Sequence, residues 1–219
     1  MGRLFGTDGI RGKANQHPMT PETALAMGRA AATFFSDGGP SRIVIGKDTR
    51  LSGDMLECAL AAGIMAAGGT PLMVGVLPTP GVAFLAMDEK ADAGIVLSAS
   101  HNPFYDNGIK LFDGKGFKLP DAVEDRLEDL ILENGSREKG AAKSVPETGR
   151  SRRLEKADDR YIRFLKERLE SVRDLNGMTI VMDCANGATY RVAPRLFSEL
   201  GADITPLSVY PDGKNINDN

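Results

Sequence analysis

The stretch AGIVL at residues 93–97, followed by SASHNP at residues 98–103, decides the fold of this chain. Its first half carries no polar side chain, which is typical of a strand that other elements cover on both faces. Its second half changes abruptly to serine, histidine and asparagine, as expected where a buried strand gives way to a surface loop. The stretch therefore predicts a central strand of a mostly parallel sheet, with a polar loop at its carboxyl end.

Outward from this strand, helix and strand patterns alternate along the chain. Apolar runs predict further strands at residues 42–46 and 71–76, and Thr20 before Pro21 is a typical helix start. The turn signal at Asn107-Gly108 precedes a short run at 109–112 that predicts an antiparallel strand. The predicted helices lie at about 20–36, 53–67 (capped by Ser52), 80–87 and 121–133. The fold class is α/β, with a mixed, mostly parallel sheet covered by helices.

A second, smaller unit follows a polar segment at 134–153 that we interpret as a linker or surface excursion. Its predicted elements are helices at about 157–172 and 189–200 and strands at 178–182 and 203–206. Two strands alone bury little apolar surface and are marginally stable. We therefore expect domains at 1–150 and 151–219, the second incomplete, so that the chain is part of a longer protein or completes its sheet with a partner.

Composition and charge exclude several classes of protein. Lys+Arg 27 against Asp+Glu 30 gives a net charge of −3, which argues against a general nucleic-acid binder. The longest apolar stretch, around 59–77, is broken by Gly63, Gly68, Gly69 and Pro71, so we expect no membrane span. Cys58 and Cys184 are too few for a disulfide framework, and we expect both to be buried in a reducing compartment. The predicted location is the cytoplasm.

Two glycine-rich segments are candidates for binding phosphate. GTDGIRG at 6–12 combines three glycines with one arginine, and GKDTRLSG at 46–53 follows a strand and opens a helix. Backbone N–H groups, cations and glycines that allow close approach are what a phosphate site needs. Each segment could equally be a tight turn with solvated charges. Neither is a Walker loop or a dinucleotide fingerprint.

The loop after the central strand is the strongest candidate for chemistry. Ser98 and Ser100 stand on a rigid base, His101 could act as an acid or a base, and Lys110 could bind phosphate or accept a proton. Alternatively, the serines satisfy backbone groups and His101 only packs. A hydrolase triad is a poor interpretation, because no Gly-x-Ser-x-Gly elbow is present.

The sequence contains no cluster of histidine and cysteine that would hold a metal. The polar loop at 210–219 lacks the spacing of a calcium loop, and DCANGA at 183–188 is typical of a structural turn and cap. His17 lies in a polar loop, where we expect no chemistry.

Together these segments resemble the α-D-phosphohexomutase superfamily. Ser100-His101-Asn102-Pro103 followed by Asn107-Gly108-Ile109-Lys110 is similar to its phosphoserine loop. FGTDGIRG at 5–12, GKDTRLSG at 46–53, the turn at 183–188 and PDGKN at 211–215 also match its motifs, in order along the whole chain.

The resemblance implies that Ser100 carries a phosphoryl group, gives it to a sugar phosphate and recovers it from the bisphosphate that forms. Lys110 and Arg11 would move the proton and hold the phosphoserine, and His101 would shape the charge around it. The opening segment favours members that interconvert glucosamine 6-phosphate and glucosamine 1-phosphate, on the route to UDP-N-acetylglucosamine and the cell wall.

The resemblance also implies Mg²⁺ between the phosphate on Ser100 and a set of aspartates. The Asp-Gly-Asp-x-Asp loop that would supply these aspartates is not in this sequence. We therefore expect this chain alone to be unable to complete the reaction cycle. The implied partners are a phosphorylated hexosamine and either a second copy of the chain or a missing C-terminal half, with no nucleic acid and no membrane.

Three alternatives stay open. The chain could belong to a phosphomannomutase or phosphoglucomutase relative, it could be a non-catalytic fragment that acts as an interaction module, or it could be a plain α/β phosphate-binding protein.

Overall fold

The computed structural model describes residues 4–6, 9–137, 147–169 and 174–218. It contains fourteen named helices and strands within these ranges. In chain order these are β1 (Ile10–Lys13), α1 (Pro21–Phe34), β2 (Arg42–Lys47), α2 (Ser52–Ala66), β3 (Thr70–Val76), α3 (Thr79–Asp88), β4 (Ala93–Leu97), β5 (Asp106–Asp113), α4 (Asp121–Arg137), β6 (Arg152–Arg153), α5 (Ala157–Arg168), β7 (Thr179–Asp183), α6 (Val192–Glu199) and β8 (Asp203–Leu207).

The large sheet has six strands in the order β1-β5-β4-β2-β3-β6. Strands β2, β3, β4 and β6 run parallel to their neighbours in that group. Strand β5 lies antiparallel between β4 and β1. The predicted α/β fold with a mixed, mostly parallel sheet is thus confirmed, and the central strand β4 has the predicted bounds.

Apolar side chains fill both faces of this sheet. Ile43 and Ile45 of β2 contribute to one core with helices α1, α2 and α4, whereas Val44 between them contributes to the other. All five residues of β4 are buried. Since alternate residues of a strand point to opposite faces, a strand covered on both sides must be apolar throughout, which is why β4 could be recognised in the sequence.

The second unit consists of α5, α6 and the parallel pair β7 and β8. Tyr161 and Ile162 of α5 belong to the same core as Val192 and Leu196 of α6. The ring of Phe164 also stacks on Phe84 of α3, with ring centroids 4.1 Å apart. Helix α5 therefore joins the second unit to the face of the large sheet that α3 covers.

Several details of the fold differ from the sequence-based expectations. Asn107 and Gly108, predicted to form a turn, lie within strand β5. Residues 10–13 form edge strand β1 rather than part of a glycine loop. Helix α4 continues to Arg137, and Arg152–Arg153 joins the large sheet beside β3, so the predicted linker is shorter at both ends. Residues 138–146 of that linker lie outside the described residues, as do residues 170–172 of the helix predicted at 157–172, but α5 already ends at Arg168 with Leu169 as its C-cap. The division of the chain at residue 150 stays a prediction.

Two predictions about single residues were wrong. The hydroxyl of Ser52 does not cap α2 but accepts a hydrogen bond from the side-chain amide of Asn107, 2.8 Å away. Cys58 lies on the solvent face of α2 and is exposed, while Cys184 is buried as expected. Within the described ranges, no helix is both long and apolar enough to cross a bilayer.

Candidate functional site

The loop that carries Ser100 begins where β4 ends. The backbone N–H of Ser98 donates to the carbonyl of Gly108 at 2.9 Å, which fixes the loop to β5. Ser100 is exposed and has a φ of 57°, in the left-handed region that serine rarely adopts. Its backbone N–H donates to the hydroxyl of Ser98 at 3.1 Å. Ser98 thus satisfies a backbone group, whereas the side chain of Ser100 is presented at the surface.

The buried side chain of Arg50 binds the backbone carbonyls of this loop from the interior of the protein. Its side chain is 0% exposed and carries five N–H donors, and each donor has an acceptor. These acceptors are Asp48 Oδ2 for Nε (2.9 Å), Pro103 O and Asp106 O (3.1 Å) for Nη1, and Ser100 O (2.8 Å) and Asn102 O (2.9 Å) for Nη2. A planar guanidinium suits this task, because its donors spread in a fixed fork.

The segment at 46–53 consequently has a structural role that its sequence pattern does not reveal. Arg50 has no donor left for a phosphate, and Asp48 neutralises its charge at 2.9 Å. The ammonium of Lys47 binds Asp54 at 2.5 Å and also binds Glu57. Burial alone would lower the pKa of Lys47, but these two carboxylates raise it overall. Neither interpretation of this segment describes these two cations, because both side chains are largely buried and bound to protein acceptors rather than solvated.

Arg11 and Lys110 lie on the two strands next to the loop. In the sheet register Arg11 of β1 stands opposite Gly108 of β5, and Lys110 stands opposite Val96 of β4. Paired residues share a face, as do residues two apart on one strand, so Arg11 and Lys110 are on the same face of the sheet. Lys110 also lines a cavity of about 100 Å³ with Lys118. The fold thus brings both cations to the edge where the Ser100 loop begins.

Gly108 makes room for this arrangement. A methyl group added to Gly108 would lie 2.6 Å from the carbonyl oxygen of Ser98 and 3.2 Å from Cγ of Arg11. The side chain of Arg11 therefore passes directly beside Gly108, close to the start of the loop. Any side chain at position 108 would collide with the Ser98 carbonyl and displace the Arg11 side chain. His101 follows Ser100 in the exposed turn, and its catalytic role stays a prediction.

Loops of the second unit cover part of this edge. The hydroxyl of Thr49 donates to the carbonyl of Asn186 at 2.5 Å, and the N–H of Leu51 donates to the carbonyl of Gly213 at 2.9 Å. The side-chain amide of Asn217 reaches the Ser100 loop itself, donating to Ser100 O at 3.1 Å. The motif at 211–215 is visible in the sequence, but nothing there indicates that Asn217 contacts this loop.

The turn at Asp183 is structural, as expected. Its carboxylate accepts the N–H of Ala185 at 2.8 Å, and this bond together with one from Ser208 lowers the pKa of Asp183. In the loop at 210–218, the carboxylate of Asp212 similarly accepts the N–H groups of Lys214 and Asn215. Both carboxylates thus stabilise local turns.

The described residues do not fit a magnesium site. They contain no group of three or more histidine, cysteine, aspartate or glutamate side chains placed to hold an ion. Among the carboxylates around the Ser100 loop, Asp48 pairs with Arg50, and Oδ2 of Asp106 accepts the side-chain amide of Asn102 at 3.0 Å. Two other concavities, of about 760 and 530 Å³, lie along α5 and are lined by none of the residues of the Ser100 loop.

The first unit of the chain and its full length both have known relatives. The family model for Phosphoglucomutase/phosphomannomutase, alpha/beta/alpha domain I, matches residues 2–138. A protein named phosphoglucosamine mutase from Syntrophus aciditrophicus is 56% identical over 220 residues, which cover 100% of this chain and 49% of that protein. A protein of the same name from Anaeromyxobacter dehalogenans is 53% identical and covers 99% of this chain and 49% of its own length.

Solved structures show the same fold. A phosphoglucomutase/phosphomannomutase family protein from Burkholderia thailandensis superposes with a TM-score of 0.79 at 27% identity, over 96% of this chain and 45% of that one. A putative phosphomannomutase from Thermus thermophilus gives a TM-score of 0.79 at 24% identity, over 97% and 47% of the two chains. The chain spans about half the length of the curated relatives it matches.

Proposed function

The chain belongs to the phosphoglucomutase/phosphomannomutase family, and from that membership we propose that it forms part of a mutase that interconverts glucosamine 6-phosphate and glucosamine 1-phosphate. The curated relatives at 53% and 56% identity carry the name phosphoglucosamine mutase. One structural observation carries the proposal: Ser100 is exposed on a loop fixed by a buried arginine, at the sheet edge that also bears Arg11 and Lys110.

In the proposed reaction, phosphorylated Ser100 is the donor. The bond between its oxygen and phosphorus breaks while the free sugar hydroxyl forms the new bond to phosphorus, which gives a hexosamine bisphosphate. The bisphosphate then turns over and returns its other phosphoryl group to the Ser100 hydroxyl. Lys110 takes the proton of the attacking hydroxyl and passes it to the Ser100 oxygen as that oxygen leaves phosphorus. Arg11 binds the oxygens of the phosphoryl group, and His101 shapes the charge around it.

The anchoring of the loop supports this reaction. Phosphoryl transfer depends mainly on positioning and on neutralising the oxygens of the transferred group. Arg50 fixes four carbonyls of the Ser100 loop from inside the protein, so the loop is held before a substrate arrives. A phosphoserine adds about −1.5 to −2 of charge at neutral pH, and it needs cations at its surface position.

Magnesium stays a proposal for the phosphorylated protein. The phosphate on Ser100 would supply oxygen ligands, which hard cations prefer. Further oxygen ligands would have to come from outside the described residues, because these contain no group of three or more acidic, histidine or cysteine side chains placed to hold an ion. The cytoplasmic location, a homodimer and pairing with a C-terminal half likewise stay proposals.

A second substrate class is favoured by the family description, which names phosphoglucomutase and phosphomannomutase. The glucosamine phosphates remain the preferred substrates. The chain is 56% identical to the phosphoglucosamine mutase from Syntrophus aciditrophicus but 27% identical to the phosphoglucomutase/phosphomannomutase family protein from Burkholderia thailandensis. Assaying the full-length protein with glucose, mannose and glucosamine 6-phosphates separates the two classes. A preference for mannose or glucose 6-phosphate would refute the glucosamine assignment and leave the family intact.

Phosphate mapping and one substitution test the proposed role of Ser100. Intact-mass analysis and peptide mapping of the full-length protein from cells should place a single phosphate on Ser100. Ser100→Ala should abolish both this phosphate and mutase turnover, yet change the free energy of unfolding by less than about 0.5 kcal/mol, as exposed substitutions do. Ser151→Ala, another exposed serine, is the matched control and should behave as wild type. Turnover retained by Ser100→Ala would eliminate it as the phosphate carrier.

A further inference from the structure

The carbonyl of Ser100 is bonded from two sides. Arg50 donates to it from within the first unit at 2.8 Å, and Asn217 donates to it from the second unit at 3.1 Å. The neighbouring carbonyl of Asn102 accepts from the same two side chains, at 2.9 and 3.4 Å. A carbonyl oxygen has two lone pairs, so two donors saturate each acceptor.

These bonds act on the backbone of a residue in an unfavourable conformation. Ser100 has a φ of 57°, and a non-glycine residue in this region keeps it only where surrounding contacts hold it. The donors to its carbonyl restrict rotation of the peptide that follows it. They therefore fix the direction in which the Ser100 side chain leaves the loop.

Asn217 is itself held firmly. Its N–H donates to the carbonyl of Ala185 at 2.9 Å, and its neighbour Ile216 is 5% exposed. The adjacent carbonyl of Asn215 accepts from the amide of Asn186 at 3.2 Å. The Asn217 amide thus reaches the Ser100 loop from a backbone that is fixed to the turn after β7.

We propose that Asn217 is a positioning residue through which docking of the second unit orients Ser100 for phosphoryl transfer. The inference rests on the proposed function of Ser100 and adds a dependence on the second unit. Arg50 binds the loop carbonyls from within the first unit, and the side-chain amide of Asn217 binds two of the same carbonyls from the second unit. The loop then adopts its transfer geometry only when the second unit is docked.

The test uses Asn217→Gly with Asp218→Ala as its control. Asn217 has a φ of 56°, so glycine removes the amide without straining the backbone, whereas alanine would add strain. Asp218 is the exposed neighbour in the same loop. Hydrogen exchange at the loop amides of Ser100 and Asn102 reports directly on the loop, without any substrate.

We expect exchange at these loop amides to accelerate by about tenfold in Asn217→Gly, the effect of losing one hydrogen bond of ordinary strength. Exchange in strand β2 should stay unchanged. In the full-length protein kcat should fall by about three- to tenfold while KM stays within twofold, because the substrate is bound as before. Asp218→Ala should match wild type in both measurements.

Unchanged loop exchange in Asn217→Gly would overturn the inference, and so would an equal acceleration in Asp218→Ala. Accelerated exchange with an unchanged kcat would also overturn it, because the amide would then stabilise the loop without serving transfer. Failure of the proposed function is recognised separately: turnover retained by Ser100→Ala refutes the role of Ser100, whereas the exchange data still decide whether Asn217 holds the loop.

Discussion

Substitution of Arg50 by alanine should destabilise the protein far more than loss of any surface arginine. The change leaves the carboxylate of Asp48, which is 4% exposed, without its ion-pair partner. Breaking a buried pair by removing one partner typically costs about 3 to 5 kcal/mol. The four loop carbonyls also lose their donor, but those near the surface can bind water instead. We therefore expect the free energy of unfolding to fall by about 3 to 5 kcal/mol, out of the roughly 5 to 15 kcal/mol typical of a folded protein.

Two further variants separate the charge of Arg50 from its geometry. Arg50→Lys keeps the positive charge near Asp48 but replaces the planar fork by a compact ammonium with three donors. It cannot serve the same five acceptors, so we expect an intermediate loss of about 1 to 3 kcal/mol. In Asp48→Ala/Arg50→Ala, the orphaned carboxylate is removed, and the double variant should be more stable than the sum of the two single losses implies.

Urea denaturation followed by far-UV circular dichroism measures these losses, since the chain has four tyrosines but no tryptophan to serve as a fluorescent probe. Arg195→Ala is the matched control, because Arg195 also bonds two carboxylates but its side chain is 47% exposed. That variant should lose no more than about 1 kcal/mol. If Arg50→Ala lost less than about 1 kcal/mol, or if Arg50→Lys equalled wild type, the idea that the guanidinium fork anchors the loop would be refuted.

The described contacts support three other predictions. Gly108→Ala should lower the free energy of unfolding by about 1 to 3 kcal/mol in urea denaturation, because the added methyl group would lie 2.6 Å from the carbonyl oxygen of Ser98; an unchanged midpoint would contradict the close approach. Cys58 should react with a thiol reagent within minutes and Cys184 only on unfolding, because Cys58 is exposed while burial raises the pKa of the Cys184 thiol; equal rates would contradict the placement of α2. Backbone and side-chain hydrogen bonds lower the pKa of Asp183 below its ordinary 3.8, so its contribution to stability is whole above that value and is lost as the pH falls through the lowered pKa. Asp183→Asn should therefore flatten the loss of stability below about pH 4 in acid titrations, and a titration identical to that of wild type would contradict this assignment.

The fold is predictable where local pattern and tertiary environment agree. Strand β4 is apolar at every position because helices cover both faces of the sheet, so its bounds follow directly from the sequence. Thr20 and Pro21 likewise mark the start of α1, where the Thr20 side chain accepts the N–H of Thr23. In such segments the residues that form the element are also the residues that signal it.

Long-range pairing is not predictable from single segments. Strand β1 owes its extended conformation to β5, with Arg11 opposite Gly108 far along the chain, and its glycine resembles those of a loop. The face on which Cys58 lies depends on the rotation of α2, which an alanine-rich sequence leaves weakly determined. From the sequence alone, the segment that contains Arg50 is a candidate for binding phosphate. A guanidinium binds a phosphate and a cluster of carbonyls through the same array of N–H donors, so the sequence does not distinguish the two.

Arg50 and Arg11 differ in the positive charge that each can offer to a phosphate on Ser100. Asp48 neutralises Arg50, and the five donors of Arg50 are occupied. Arg50 therefore positions the loop but adds little net positive charge to it. In the proposed function, the strand residues Arg11 and Lys110 balance the charge of a phosphate on Ser100. Arg11 is exposed, so Arg11→Gln should change the free energy of unfolding by less than about 0.5 kcal/mol while slowing phosphoryl transfer at least tenfold, whereas loss of Arg50 should lower both. Equal effects of the two substitutions on stability would show that anchor and phosphate ligand are not separate roles.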